Sequence, residues 1–362
     1  MTVRQATMWF VMYQLGSAFL VLPSTLATVA KQDAWLSIVI VIGLQMLMIG
    51  LYAAIATKLN NQSLQAYMAS LLGKWLGNAV LFLFIACYPF FIFMLVLRDL
   101  SDFLTTSVFP ETPSEAVYAL MLIAVVYIVR CGVSTIGRAA ELFFFFVLTL
   151  FVLGYFSLLP SANLDNLKPV FEFGWKPIVQ ASLTLIGFPY VESVIFLFFG
   201  NQLDKPGKWK IAVRRASLIS GSMFLIMTVI VIAVLNEGVI SNLTYPSYFT
   251  VRTINIADFY ERFEVIVALL WYITIFFRLS LLLYVSSTGI ATIFRLKNHY
   301  SLLIPLALIG YSMGNAMWPN KAVVISAFPI WAYYSMIFGI LFPLFIWLAD
   351  KVKGGFASKT NQ

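Results

Sequence analysis

Charge is confined to short gaps between long apolar blocks, and that pattern decides what this chain can fold into. Apolar runs of about 20 residues recur from end to end, the length that crosses about 30 Å of hydrocarbon. Only 10% of the 362 residues are charged and 61% are hydrophobic, whereas a soluble globular domain is about 25% charged. Too little polar surface exists to cover a body of this size in water. Within hydrocarbon each crossing must satisfy its own backbone groups, and long unbroken apolar runs do so as helices rather than as a barrel. The fold class is therefore an all-α integral membrane protein, in contact with the bilayer and not with nucleic acid.

Ten spans are read, at roughly 6–30, 35–57, 78–98, 114–130, 141–160, 176–200, 212–236, 263–294, 301–318 and 329–349. The eighth is too long for a perpendicular crossing and should tilt or project. The whole chain, 1–362, reads as a single membrane domain with a short tail at 350–362. The connectors at about 58–77, 161–175 and 237–262 have room for short surface helices and none for a soluble domain.

Lys and Arg set the orientation. With a cytoplasmic N-terminus, the inner segments hold most of them, including Arg4, Lys58, Lys74, Arg130, Arg138, Lys205, Lys208, Lys210, Arg214, Arg215, Arg295, Lys297, Lys351 and Lys353. Fewer fall outside, among them Lys31, Arg98, Lys168, Arg262 and Lys321, and the acidic residues Asp33, Asp99, Asp102, Glu172, Asp258 and Glu261 gather there. The formal charge of +8 is mostly this topology signal. Both termini are expected in the cytoplasm.

Five spans followed by five places two halves in opposite orientations, the arrangement of an inverted repeat. The repeats would cover about 6–160 and 176–349. The first span of each half is interrupted. One reads QLGSAFLVLPSTLA, with Gly16, Ser17 and Pro23 inside it; the other reads TLIGFPYVESVI, with Gly187 and Pro189. A break frees backbone groups and presents half-helix ends to a ligand, and matching breaks mark a midplane site. A kink without function is the competing reading, since Gly and Pro are frequent in membrane helices.

Glu192 and Arg278 alone sit well within spans. Each costs a few kcal/mol at the bilayer centre, so each needs a partner. The economical expectation is that they meet, as a structural latch or as a gate. In the eighth span Ser280, Tyr284 and Ser287 share one face and Arg278 another, so Ser280 and Tyr284 are the pocket candidates there. In the third, Tyr88, Ile92 and Leu95 form a stripe that suits either a pocket wall or ordinary packing. Cys87 and Cys131 read as buried spare thiols. His299 is the single histidine, and no metal, cofactor or catalytic set is visible.

In order and spacing, the ten spans, the Gly16–Pro23 interruption, the IGFPYVES stretch and the basic loop after it resemble the B subunit of spore germinant receptors. That family is a branch of the amino acid–polyamine–organocation superfamily. The resemblance implies a five-plus-five fold of the LeuT type with helices 1 and 6 broken, in the inner membrane of a bacterial endospore. It implies a nutrient germinant, often an amino acid, as ligand. A larger membrane A subunit and a C-subunit lipoprotein are the implied partners. Carried onto this chain, the family pocket falls on Gly16 and Ser17 in span one, and on Gly187, Phe188 and Tyr190 in span six. Spans three and eight would add Tyr88 and Ile92, and Ser280 and Tyr284. The chain lacks the fifth-span lysine of some proton-coupled relatives. The hydroxyls at 286–289 (SSTG) are of a type that sodium sites use, though common in any membrane helix. Weak coupling machinery favours a sensor; the alternative is an amino-acid secondary transporter.

Overall fold

The computed structural model describes residues 1–59, 62–253, 263–317 and 330–359. Arg262, Lys321, Asp258 and Glu261, and the span ends at 318 and 329, lie outside them. All regular structure among the described residues is helical. Among the described residues seven stretches are long and apolar enough to cross a membrane: Ala18–Leu59, Lys74–Val108, Val133–Ser161, Trp175–Phe199, Trp209–Ile240, Glu264–Ile293 and Ile330–Lys353. The first, if straight, would be about 63 Å long, twice the hydrocarbon thickness. It instead turns at Lys31, where φ is +53°, and so takes in the second part of the first span and all of the second. Many large apolar side chains face outward, such as Leu142 at 72% exposure, which only a lipid surroundings makes favourable.

The first sequence-read span is two helices, α1 (Val3–Leu15) and α2 (Ala18–Ala30). Helix α3 (Ala34–Leu59) and the short surface helix α4 (Leu64–Leu72) follow. The third span, read as continuous, is also two pieces, α5 (Lys74–Cys87) and α6 (Pro89–Phe103). They meet at Tyr88, with φ −121° and ψ −81°. Pro89 explains the joint: proline supplies no N–H and suits a helix's first position. Next come α7 (Ser114–Arg130), α8 (Val133–Phe156) and α9 (Trp175–Leu185). After the second interruption, a 3-10 helix runs over Val191–Phe199. The second half continues with α10 (Trp209–Ile240), α11 (Pro246–Arg252), α12 (Glu264–Ile293) and α13 (Tyr300–Ala316). A last helix covers Phe342–Lys359.

Helix α1 is the axis of the bundle. Every residue from Trp9 to Leu15 is buried. It packs against α10, α8 and α12. Phe10 stacks on Phe196 at 3.9 Å between centroids, and the Trp9 indole donates to the Phe277 carbonyl at 3.0 Å. These contacts set α1 beside both the Val191–Phe199 helix and α12.

Pro23 does not break its helix, contrary to the reading of the sequence. Helix α2 continues through it. A proline leaves the carbonyl four residues earlier without its N–H partner; that carbonyl is Phe19's, and the Ser247 hydroxyl of α11 donates to it at 2.9 Å. Ser247→Ala is thus expected to leave a buried carbonyl unpaired and lower stability by about 1–2 kcal/mol, read as a fall in the thermal midpoint of the purified protein. An unchanged midpoint would show that water or a neighbour takes the carbonyl. Both cysteines are exposed rather than buried, Cys87 at the end of α5 and Cys131 in the turn after α7.

Candidate functional site

The first interruption is two residues wide. Helix α1 ends at Leu15, Gly16 takes φ 7° and ψ −127°, and α2 begins at Ala18 after Ser17. A Cβ on Gly16 would lie 2.4 Å from Arg278 Cδ, so a glycine here makes room for the Arg278 side chain. The second interruption follows α9: Ile186–Tyr190 forms a wide turn in which Phe188 is extended, with φ −151° and ψ 116°. A Cβ on Gly187 would fall within 2.6–2.8 Å of the Ala332 Cα, carbonyl oxygen and Cβ. Glycine is required there by the approach of another backbone.

Glu192 and Arg278 close the gap between the breaks. Both side chains are almost fully buried, and Arg278 Nη2 meets Glu192 Oε2 at 2.6 Å. The Tyr13 hydroxyl donates to the same carboxylate oxygen at 3.0 Å, and Arg278 Nη1 donates to the Tyr13 carbonyl at 2.9 Å. The guanidinium also lies 4.6 Å from the Tyr13 ring centre and 5.6 Å from that of Phe188. The placement follows from helix ends. Tyr13 lies in the last turn of α1, whose carbonyls have no partner within the helix and carry partial negative charge. Arg278 supplies both the hydrogen bond and the positive charge. Glu192 lies in the first turn of the Val191–Phe199 helix, where a carboxylate suits the positive end. The ion pair therefore joins the end of one half-helix to the start of the other.

Beside it runs a neutral network, all of it buried. The Gln14 amide donates to Ser193 Oγ at 2.9 Å and Ser217 Oγ at 3.1 Å, and Ser220 donates to Gln14 Oε1 at 2.7 Å. Gln45 of α3 donates to Ser193 Oγ at 3.1 Å. These bonds tie α1, α3, α10 and the Val191–Phe199 helix into one unit, while Arg278 reaches that unit from α12.

Above the breaks lies a cavity of about 540 Å³, a size that suits a small ligand. One face of α2 lines it with Ser17, Ser24 and Thr28. Helix α9 contributes Gln180 and Thr184, α6 Asp99 and Asp102, and α12 Trp271. The 241–245 segment forms the outer rim, and Ser17 and Phe188 bring the cavity to the two breaks. The Ser17 hydroxyl is buried and has no hydrogen-bond partner among the described residues.

Of the residues singled out from sequence, Ser17 and Phe188 line this cavity. Gly16 and Gly187 lie next to them in the chain and serve close approach. Tyr88 is buried with its ring stacked on Phe338 at 4.9 Å, and Ile92 is buried one turn along α6. Tyr190 is buried with its ring 6.4 Å from Phe224. Ser280 donates to the Phe276 carbonyl of its own helix at 2.7 Å, so its hydroxyl is already used. Tyr284 stacks on Phe199 at 5.5 Å and touches His299, toward the opposite end of α12. Arg278, rather than the Ser280–Tyr284 face, is the α12 group at the break. Sequence reasoning missed Tyr13, on which both charges converge, and the hydroxyl face of α2, whose three-to-four-residue spacing was legible.

Known proteins resemble the chain over nearly its whole length. Residues 1–321 match the family described as spore germination protein. The chain is 30% identical to Spore germination protein KB of Bacillus subtilis (strain 168), over 99% of this chain and 98% of that one. Spore germination protein A2 of the same organism is 23% identical, over 95% and 94%. Among solved structures, MhsT in complex with L-phenylalanine superposes with a TM-score of 0.59 at 14% identity, over 94% of this chain and 87% of that one. That likeness is one of fold, of the LeuT type. With the family match running through both interruptions and the buried ion pair, this integral membrane chain belongs to the spore germination protein family.

Proposed function

We propose that this chain is the germinant-sensing subunit of a spore germination receptor, with a small nutrient, an amino acid, binding in the cavity above the two breaks. The observation that carries the reading is the convergence of Ser17 and Phe188, one from each interruption, on a single cavity. Ser17 offers a buried hydroxyl without a partner. Such a group lowers stability unless something bonds to it, and a polar ligand would. Gly16 and Gly187 adjoin Ser17 and Phe188 in the chain, Tyr88, Ile92 and Tyr190 are buried without lining the cavity, and Ser280 and Tyr284 belong to the helix that carries Arg278.

In this reading the chain has ten spans in a five-plus-five repeat, with both termini cytoplasmic, in the spore inner membrane. The ligand favours one arrangement of the broken helices. It does so only by as much as its affinity differs between the two arrangements. Contact with Phe188 and Ser17 reaches Arg278 directly, because its guanidinium lies over the Phe188 ring and its Cδ lies against Gly16. The Arg278–Glu192 pair is the gate in this scheme. A membrane A subunit and a C-subunit lipoprotein read the change.

Ser17→Val tests the site. Ser17 makes no cap bond to α2, so the loss of its hydroxyl should spare the fold. The germinant concentration for half-maximal response should rise about tenfold, the equivalent of one hydrogen bond of about 1.4 kcal/mol. The assay uses spores whose only receptor contains this chain, with a screen of single amino acids and sugars. An unchanged dose response at normal protein level removes Ser17 from the site.

A second reading, an amino-acid transporter, is favoured by the likeness to a structure solved with L-phenylalanine bound. Proteoliposomes containing this chain alone decide between them: gradient-driven uptake of labelled amino acid would replace the sensor reading by a transporter.

A further inference from the structure

A second concavity, of about 480 Å³, lies at the other end of α10, between its first turns, the start of α1 and the 204–208 segment. Arg4, Lys205, Lys208 and Arg215 line it, with Asp204. The Asp204 carboxylate is engaged by the Met1 amino group at 3.0 Å, and Arg4 by Glu141 at 2.9 Å. The side chains of Lys205, Lys208 and Arg215 are exposed, and among the described residues none makes an ion pair. Three positive charges thus point into one concave space with no carboxylate assigned to them. A charge excess that serves only to orient a chain needs number near the membrane, not convergence. Lys210 and Arg214, in the same basic run, do not line the space.

The apolar surroundings say where the matching anion comes from. Ile211 lines the same concavity. Leu218, seven residues on and so on the same face of α10, is 42% exposed. A basic concavity opening onto an apolar, outward-facing helix surface suits a headgroup phosphate with its acyl chains alongside.

We propose that the concavity formed by Arg4, Lys205, Lys208 and Arg215 binds a phosphate group, that of an anionic lipid headgroup. The site joins α1, which ends at the Gly16 break, to the segment that follows the Val191–Phe199 helix. A headgroup there fastens the inner pieces of both interrupted helices to α10 and favours the arrangement seen here.

The test uses the full chain in nanodiscs of phosphatidylcholine alone or with about one third phosphatidylglycerol. Phosphatidylglycerol is expected to raise the thermal midpoint by roughly 3–5 °C through preferential binding to the folded state, and by less at high salt. The variant K205Q/K208Q/R215Q should match the wild type in phosphatidylcholine and lose most of the gain. Inorganic phosphate, added to phosphatidylcholine discs, distinguishes the source: a gain as large as that from the lipid keeps the site and makes a soluble phosphate its occupant. An equal lipid gain in variant and wild type, or none in the wild type, overturns the proposal. So does a wild-type protein that retains phosphatidylglycerol through purification no more than its share of the disc, which needs no variant to fold.

Discussion

Arg278→Ala should strip most of the folded protein from the membrane. The substitution leaves Glu192 as an unpaired carboxylate with no access to solvent, and breaking a buried pair from one side costs about 3–5 kcal/mol. It also leaves the Tyr13 carbonyl, at the end of α1, without the donor it has at 2.9 Å. The total is a large part of the 5–15 kcal/mol that keeps a typical protein folded. Immunoblots of spore membranes and thermal unfolding of whatever is purified read the result. Normal accumulation with an unshifted midpoint would mean that Glu192 finds another partner or is neutral. Replacing both partners by Met separates support from signalling, because exchange of a whole buried pair for apolar side chains is often neutral or stabilising. Protein should return while the germination response stays absent. A double variant that responds normally would reduce the pair to a latch between helices.

The charges were legible in the sequence because hydrocarbon makes any ionisable residue conspicuous. That they face each other was a sound expectation for the same reason. The role of the third group, Tyr13, was not legible: tyrosine is common in membrane helices, and nothing in the spacing says that its carbonyl ends a helix. The breaks at Gly16 and at Gly187–Pro189 were readable as breakers in otherwise apolar runs. Pro23 misled, because its missing N–H is made good by Ser247, 224 positions further along the chain, and no local rule anticipates such a donor. Pro89 misled the other way. The apolar run at 78–98 reads as one continuous span, yet Tyr88 and Pro89 divide it. Helical spacing correctly put Ser280 and Arg278 on different faces. It could not show which face meets the break, since that depends on how closely α12 approaches Gly16.

The two glycines at the breaks should respond differently to the same added methyl group, and the difference separates folding from sensing. At Gly187 the new Cβ would meet Ala332 Cα at 2.6 Å and its carbonyl oxygen at 2.7 Å. Backbone atoms cannot move aside without shifting the helix that carries them. Overpacking of this kind costs about 1–3 kcal/mol and more where the backbone is fixed, so Gly187→Ala should lower protein level and thermal midpoint together. At Gly16 the nearest atom is Arg278 Cδ, at 2.4 Å, with the Tyr13 carbonyl at 3.0 Å. A flexible side chain shifts more cheaply than backbone, so Arg278 can be displaced while it keeps its bond to Glu192 and the helices stay packed. Gly16→Ala should therefore accumulate nearer to wild type and still lose the germination response, because the guanidinium is pushed out of its contact with Phe188. Membrane levels and dose–response curves from the same spores make the comparison. If Gly16→Ala responds like the wild type, the contact from break to guanidinium does not carry the signal. If both variants are simply absent from the membrane, Arg278 is held as rigidly as backbone, and the steric argument for a movable gate fails with it.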